Sequence, residues 1–286
     1  MTRKCTAVDV SNSHPFAGGP HVMGVVNVTP DSFSDGGKFL NPDKAIVHGL
    51  QMVSEGARIL DVGGESSRPG AEPIDVEEEI ARIVPVIEGL VGKVPWVSID
   101  TRNAKTMEAA LKAGANIIND ISALSYDPDS LSVAAGAGVP IFLMHMQGSP
   151  RTMQKKPLYH NVVEDVYQYL QQRIELCETH RIDVEMLVCD PGIGFGKTLE
   201  HNLLLLRNIK EFHGLGVPIL LGTSRKSFIG KISNDEPPDD RLAGSLASAL
   251  YGYSQGVQIF RVHDVAAHVQ AFKVFDAIQN VQGAES

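Results

Sequence analysis

The stretch ARILDVG, residues 57–63, sets Ile59, Leu60 and Val62 around a single acid and stops at a glycine, just before the polar segment GESSRPG at 64–70. A run so short and so nearly apolar reads as a strand covered on both faces, the condition of strands in a parallel sheet. Seven more runs share the pattern: HVMGVVNV (21–28), PWVSID (95–100), ANIIND (115–120), VPIFLMH (139–145), EMLVCD (185–190), VPILLGT (217–223) and VQIFRVH (257–263). Segments with helical spacing alternate with them at 41–55, 75–90, 102–113, 161–181, 199–213, 239–254 and 264–278, with 128–137 shorter and weaker. Asn41-Pro42 supplies an N-cap and first-turn proline, while Pro85 predicts a kink or break in 75–90. Eight strand–helix pairs with no break in composition allow a barrel or a doubly wound sheet. The count of eight selects an α/β fold, a single-domain (β/α)8 TIM barrel over 21–280. An N-terminal extension (1–20) and a tail (281–286) are expected to be loose.

Composition narrows the function. The 286 residues are 43% hydrophobic and 21% charged, enough to fill a large core. A formal net charge of −9 leaves no basic stripe to neutralise a nucleic-acid backbone. No stretch approaches the roughly 20 apolar residues of a membrane span, and the first twenty residues hold no signal-like apolar run. Cys5, Cys177 and Cys189 show neither CxxC nor metal-ligand spacing, which reads as reduced thiols in a cytoplasmic protein.

In such a barrel the chemistry gathers where the strands end. Those positions are Asn27, Asp61, Asp100, Asn119, His145, Asp190, the segment 224–226, and Arg261 with His263. One polar strand end can be a mere exit into water; eight of eight describe a funnel. Carboxylates and amides suit the N–H and C=O edge of a flat heterocycle. A metal cage is the alternative, but the dense ligand spacing of dedicated metal sites is missing. Arg68, Arg261 and His263 form a second, anion-seeking subsite, since a guanidinium fork matches phosphate oxygens. CDPGIGFGKT (189–198) mimics a phosphate loop but has Pro191 where that motif requires glycine, and it fails the dinucleotide pattern as well. Its glycines instead let the backbone bend close to a ligand, with Phe195 able to stack on a ring or plug the loop.

NVTPDSFSDGG (27–37), DVGGESSRPGA (61–71), IINDIS (117–122), LMHMQG (143–148), CDPGIGFGK (189–197), GTSRKSFIG (222–230) and RVHDV (261–265), in unbroken order, closely resemble the dihydropteroate synthase family of pterin-binding barrels. The resemblance implies condensation of 6-hydroxymethyl-7,8-dihydropterin diphosphate with 4-aminobenzoate, releasing pyrophosphate, with Mg²⁺ and a homodimer. It implies that Asp100, Asn119, Asp190 and Lys226 hold the pterin while Met146, Phe195 and Gly222 line its faces. Asn27 with Mg²⁺, Arg261 and His263 would hold the diphosphate, near Ser67 and Arg68. Phe33, Ser67, Arg68, Pro69 and Lys226 would build the 4-aminobenzoate pocket, which in this family is the sulfonamide target. The catalytic weight would fall on Asp100, Lys226, Arg261 and His263. Ser67 stands where many relatives carry threonine. Three rivals are a methyltetrahydrofolate-type methyltransferase barrel, a lyase using Lys226 as a Schiff-base amine, and a non-catalytic pterin-binding paralogue.

Overall fold

A computed structural model describes residues 14–29, 41–68 and 70–281. Eight parallel strands follow one another around a single sheet: β1 (His21–Asn27), β2 (Ile59–Gly63), β3 (Trp96–Asp100), β4 (Ile117–Asp120), β5 (Ile141–Met144), β6 (Leu187–Asp190), β7 (Leu220–Leu221) and β8 (Ile259–Val262). β1 pairs with both β2 and β8, and a bridge between Cys189 and Ile219 joins the two ends, closing the barrel. The helices between strands are α1 (Pro42–Glu55), α2 (Val76–Leu90), α3 (Ala104–Lys112), α4 (Ser130–Ala137), α5 (Val162–Thr179), α6 (Leu199–Arg207), α7 (Ser227–Ile232), α8 (Leu242–Ser254) and α9 (Val265–Gln279). This is the expected (β/α)8 architecture.

Local chemistry sets the helix boundaries. The Asn41 side chain accepts from the amides of Asp43 and Lys44 ahead of Pro42, and Asp75 accepts from Glu77 to start α2. Pro85 does not break α2, which runs unbroken from Val76 to Leu90. Proline frees the carbonyl four residues back; Ala81 and Pro85 both lie on the exposed face, so water can satisfy that carbonyl. Two differences from the sequence reading stand out. The helix from 199 ends at Arg207 and gives way to a 3-10 turn at Ile209–Leu215, and the six-residue α7 follows β7 in a stretch to which the sequence assigned no helix.

The core has two parts. The larger lies between the sheet and the helices, and includes Val62, Ile83, Ile87, Ile99, Leu170 and Phe260. The smaller fills the barrel itself: Met23, Ile59, Ile117, Phe142, Val188, Leu220 and Ile259 converge, with Trp96 at their edge and Phe16 beneath them. Phe16 corrects the expectation of a loose extension through residue 20. It is 1% exposed, its ring lies 5.5 Å from that of Phe142, and His14 Nε2 meets the Leu187 carbonyl at 3.0 Å. Residues 14–20 therefore plug the end of the barrel where the strands begin.

Candidate active site

Side chains alternate along a strand, so residues two positions beyond that apolar layer face the same interior nearer the strand ends. From Ile59 this step reaches Asp61, from Ile117 Asn119, from Val188 Asp190, from Leu220 Gly222 and from Ile259 Arg261. From Trp96 it passes Ser98 and reaches Asp100. The step turns an oily plug into a largely polar floor, interrupted where Met23 and Phe142 lead to Val25 and Met144.

Arg261 organises that floor. Its Nε donates to Asp61 at 2.6 Å and its Nη2 to Asp100 at 2.8 Å, although 200 and 161 residues separate the partners. Asn119, in register with Asp100, donates its amide to both oxygens of Asp61 at 3.2 and 3.3 Å. Asp61 is fully buried. Two carboxylates share one guanidinium, and burial, with Asp61 adding repulsion, pushes the Asp100 carboxyl above its ordinary range despite Arg261. Burial also raises Asp190, against the pull of Lys226; one Asp190 oxygen accepts the Gly192 amide at 2.7 Å.

The lip of the funnel carries the remaining cations. Lys226 Nζ donates to the Ile193 carbonyl and lies 4.7 Å above the Phe195 ring, and Gly222 leaves room between Lys226 and Arg261. Burial lowers Lys226 to about 8, with Asp190 opposing the shift. His263 falls to about 3, by burial first and then by the charges of Arg261 and Arg225. Arg68 also acts on it, which sets that exposed side chain within electrostatic reach of the same corner. Ser224 Oγ accepts the His263 amide at 3.2 Å and meets Nδ1 at 3.0 Å. A hydroxyl that accepts the amide can still donate to Nδ1, and in that arrangement the neutral ring carries its proton on Nε2 and offers a donor there.

The loop after β6 bends as its glycines suggest. Gly192 has φ of +69°, and a Cβ there would come within 1.9 Å of the His145 carbonyl. Lys197, 2% exposed, ties that loop to the one after β5: Nζ meets His145 Nδ1 at 2.9 Å and donates to the Phe195 carbonyl at 3.0 Å. Burial and Lys197 hold His145 down at about 2, a neutral structural imidazole and not a proton carrier.

Beside the floor, Ser67 shares a recess with Glu65, Glu79, Asp100, Thr101, Arg102 and Ile121. Arg102 donates to Glu65 at 2.8 Å and sits 4.0 Å over the Tyr126 ring; Glu79 accepts from Asn103 and Thr106 at 2.8 and 2.6 Å. This network holds the root of the segment after β2, where Arg68 stands.

Asp100, Asn119, Asp190, Gly222, Lys226, Arg261 and His263 thus meet at one end of the barrel, with Phe195 against Lys226 and Ser67 beside Asp100. Met146 is half-buried just after β5, and Asn27 ends β1 in register with Gly63. Phe33 and Pro69 lie outside the described residues. The reading of strand ends noted Asp61 without giving it a role. The partners Glu79, Arg102, Lys197 and Ser224 were missed or passed over. The only signal for Lys197 was its place at the end of the glycine-rich run. Among the described residues no group of three or more His, Cys, Asp or Glu is arranged to hold a metal, and none of the helices is long and apolar enough to cross a membrane.

Comparison with known proteins agrees with this geometry. Residues 23–263 match the pterin binding enzyme family. The dihydropteroate synthase of Escherichia coli K12 is 47% identical over 273 residues, 95% of this chain and 94% of that protein. The dihydropteroate synthase of Xanthomonas albilineans superimposes with a TM-score of 0.86 in its structure with 4-aminobenzoic acid (46% identity, 92% and 94% of the two chains). Its structure with 7,8-dihydropteroate gives 0.83 (44% identity, 92% and 95%). The Yersinia pestis dihydropteroate synthase, solved with a sulfonamide drug complex, gives 0.86 at 45% identity, covering 92% and 95%. None of these relatives is named for methyl transfer or aldol chemistry, and with this coverage the chain belongs to the dihydropteroate synthase family of pterin-binding enzymes.

Proposed function

We propose that the chain joins 6-hydroxymethyl-7,8-dihydropterin diphosphate to 4-aminobenzoate, giving 7,8-dihydropteroate and pyrophosphate for folate biosynthesis. The observation that carries this reading is the convergence at one barrel mouth of an acid–amide floor with a cationic lip. Asp190 accepts from the pterin's amino and ring N–H groups, Lys226 donates to its ring acceptors, and Asn119 and Asp100 complete the edge. Met146, Phe195 and Gly222 line the ring faces. Arg261 keeps N–H donors beyond the two bound by Asp61 and Asp100, and these, with His263 Nε2–H, Ser67 and Arg68, face the diphosphate. Ser67, Arg68 and Lys226 border the 4-aminobenzoate pocket, the site where a sulfonamide competes, and the family resemblance assigns Phe33 and Pro69 to the same pocket.

The order of events follows from the substrates. The reacting methylene is attached to an electron-rich dihydropterin, so positive charge there spreads into the ring, while an arylamine is a weak nucleophile. Departure of the diphosphate before capture by the amine, an SN1-like course, suits both facts. The carbon–oxygen bond breaks with its electron pair leaving on pyrophosphate; the amine then forms the carbon–nitrogen bond and loses a proton. Arg261 and His263 stabilise the departing oxygens electrostatically, and Asp100 steadies the developing ring charge. The donors present suit Mg²⁺ only in a restricted form: Asn27 offers one neutral oxygen ligand, which fits an ion that keeps most of its waters and rides on the diphosphate. Such an ion would add charge neutralisation of the leaving group.

The reading extends to a homodimer and a cytoplasmic setting. Leu203 and Leu204 on α6, Ile232 on α7, and Leu242 and Tyr251 on α8 are exposed on successive helices, in keeping with a self-complementary face. Cys177 and Cys189 are buried and unpaired, in keeping with a reducing compartment. A coupled assay for pyrophosphate release tests the activity. The parent is expected to turn over, and Lys226→Ala and Asp190→Asn each to lose at least a hundredfold in kcat/KM. Full activity in both variants would overturn the site assignment.

A further inference from the structure

In the segment SRKS, Lys226 and Ser224 have assigned work and Arg225 has none. Yet Arg225 has the most constrained backbone in the segment. Its φ is +59°, a left-handed value that a non-glycine residue adopts only where its surroundings hold it. Those surroundings are visible. The Arg225 amide donates to Ser245 Oγ at 2.9 Å, and its carbonyl accepts from Arg241 Nη1 at 3.0 Å. The side chain grips Asp264 with two prongs, Nε at 3.0 Å and Nη2 at 2.6 Å, and reaches exposed Asp239 with Nη1 at 2.5 Å.

Asp264 directly follows His263, as Arg225 directly follows Ser224. Two neighbouring pairs are therefore cross-linked twice, Ser224 to His263 and Arg225 to Asp264. On one side of this double link stands Lys226, tied to Ile193 and Phe195 in the loop after β6. On the other stands His263, two residues after Arg261 and its carboxylates. Arg225 also holds the Asp264 carboxyl below its usual range, so the pair stays ionised at neutral pH. A planar fork on a carboxylate fixes orientation as well as distance, which a lysine in the same place would not do.

We propose that Arg225 and Asp264 are positioning residues whose two-pronged pair sets the spacing between Lys226 and His263, and so between the pterin-holding and diphosphate-holding halves of the site. This rests on the roles given above to Lys226 and His263. Neither member of the pair is assigned a substrate contact in the proposed arrangement. It matters when one molecule must satisfy both halves at once, because an error of about 1 Å in the placement of reacting groups costs on the order of a hundredfold in rate.

The test separates the halves from the whole. In the full-length protein, Arg225→Ala and Asp264→Asn are compared with the parent for binding of 6-hydroxymethylpterin, for binding of inorganic pyrophosphate, and for turnover of the intact pterin diphosphate. Affinity for each fragment is expected to stay within about threefold, while kcat/KM for the linked substrate falls ten- to a hundredfold, mostly in kcat. Arg225→Lys, which keeps the charge without the fork, should recover only part of the loss and guards against a variant that fails to fold. Parental kcat/KM in Arg225→Ala overturns the proposal, and so does a loss of fragment affinity as large as the loss in turnover. A parent that releases no pyrophosphate would instead sink the proposed reaction.

Discussion

The two layers inside the barrel are two residues apart in sequence and opposite in chemistry. Ile59, Ile117, Val188 and Ile259 meet around Phe142 with Phe16 beneath; Asp61, Asn119, Asp190 and Arg261 stand one step above them on the same strands. The lower layer gains by excluding water and has no polar atom to satisfy. The upper layer carries buried charge, which is costly unless paired, and its pairs leave donors and acceptors unused. The same inward-facing column therefore divides its labour by height: stability is built where the strands begin and recognition where they end.

That division predicts two opposite failures. Phe142→Ala empties the centre of the lower layer, where the Phe142 ring packs 5.5 Å from that of Phe16. It should lower unfolding free energy by about 3–5 kcal/mol in denaturant titrations while the folded fraction keeps parental kcat. A large kcat loss at unchanged stability would erase the distinction between layers. Asp61→Asn acts on the upper layer. It keeps the shape, removes one of the two acids on Arg261, and frees that guanidinium to turn toward Asp100 alone. A fall of about ten- to a hundredfold in kcat/KM is expected, with the midpoint of unfolding moved by much less than in Phe142→Ala.

How much of this was legible in the sequence differs between the layers too. The strands were visible because residues buried on both faces leave continuous apolar runs, and the rim was visible because each run carries a polar residue at or near its end. Pairing was not visible. Nothing local to Arg261 says that it will lie against Asp61 and Asp100; that contact depends on barrel closure, which brings β8 beside β1 and thence near β2 and β3. Phe16 was hidden for a similar reason, since one aromatic in a glycine-rich extension has no periodicity to betray a plug. α7, at six residues, is too short to show a helical repeat.

The lip offers a gentler way to sharpen the comparison. Burial brings Lys226 down to about 8, so its charged, donating form dominates below that pH and is lost as pH rises through it. The kcat/KM for the pterin diphosphate should therefore decline on a basic limb near pH 8, approaching tenfold per unit, if Lys226 donates as a cation. Lys226→Arg keeps the charge across that range, so its activity, lower at neutral pH, should show no such limb. A basic limb unchanged in Lys226→Arg would assign the titration to another group and remove Lys226 from that role.

The smallest effect belongs to Ser67, at the border of the acidic recess and the substrate pocket. Its hydroxyl shares the recess with Glu65, Asp100 and Thr101, and the side chain is only half-buried, so solvent-side space is available for one more methyl. Ser67→Thr keeps the hydroxyl and adds that methyl, a change worth about 1 kcal/mol or less where the site is not close-packed. The KM for 4-aminobenzoate should move by no more than about threefold, and kcat should stay put. Ser67→Ala instead removes the hydroxyl while leaving the space, and should cost more than the threonine change. If threonine proved the more damaging of the two, packing and not the hydroxyl would be what the position supplies, and Ser67 would belong with the layer that builds the barrel.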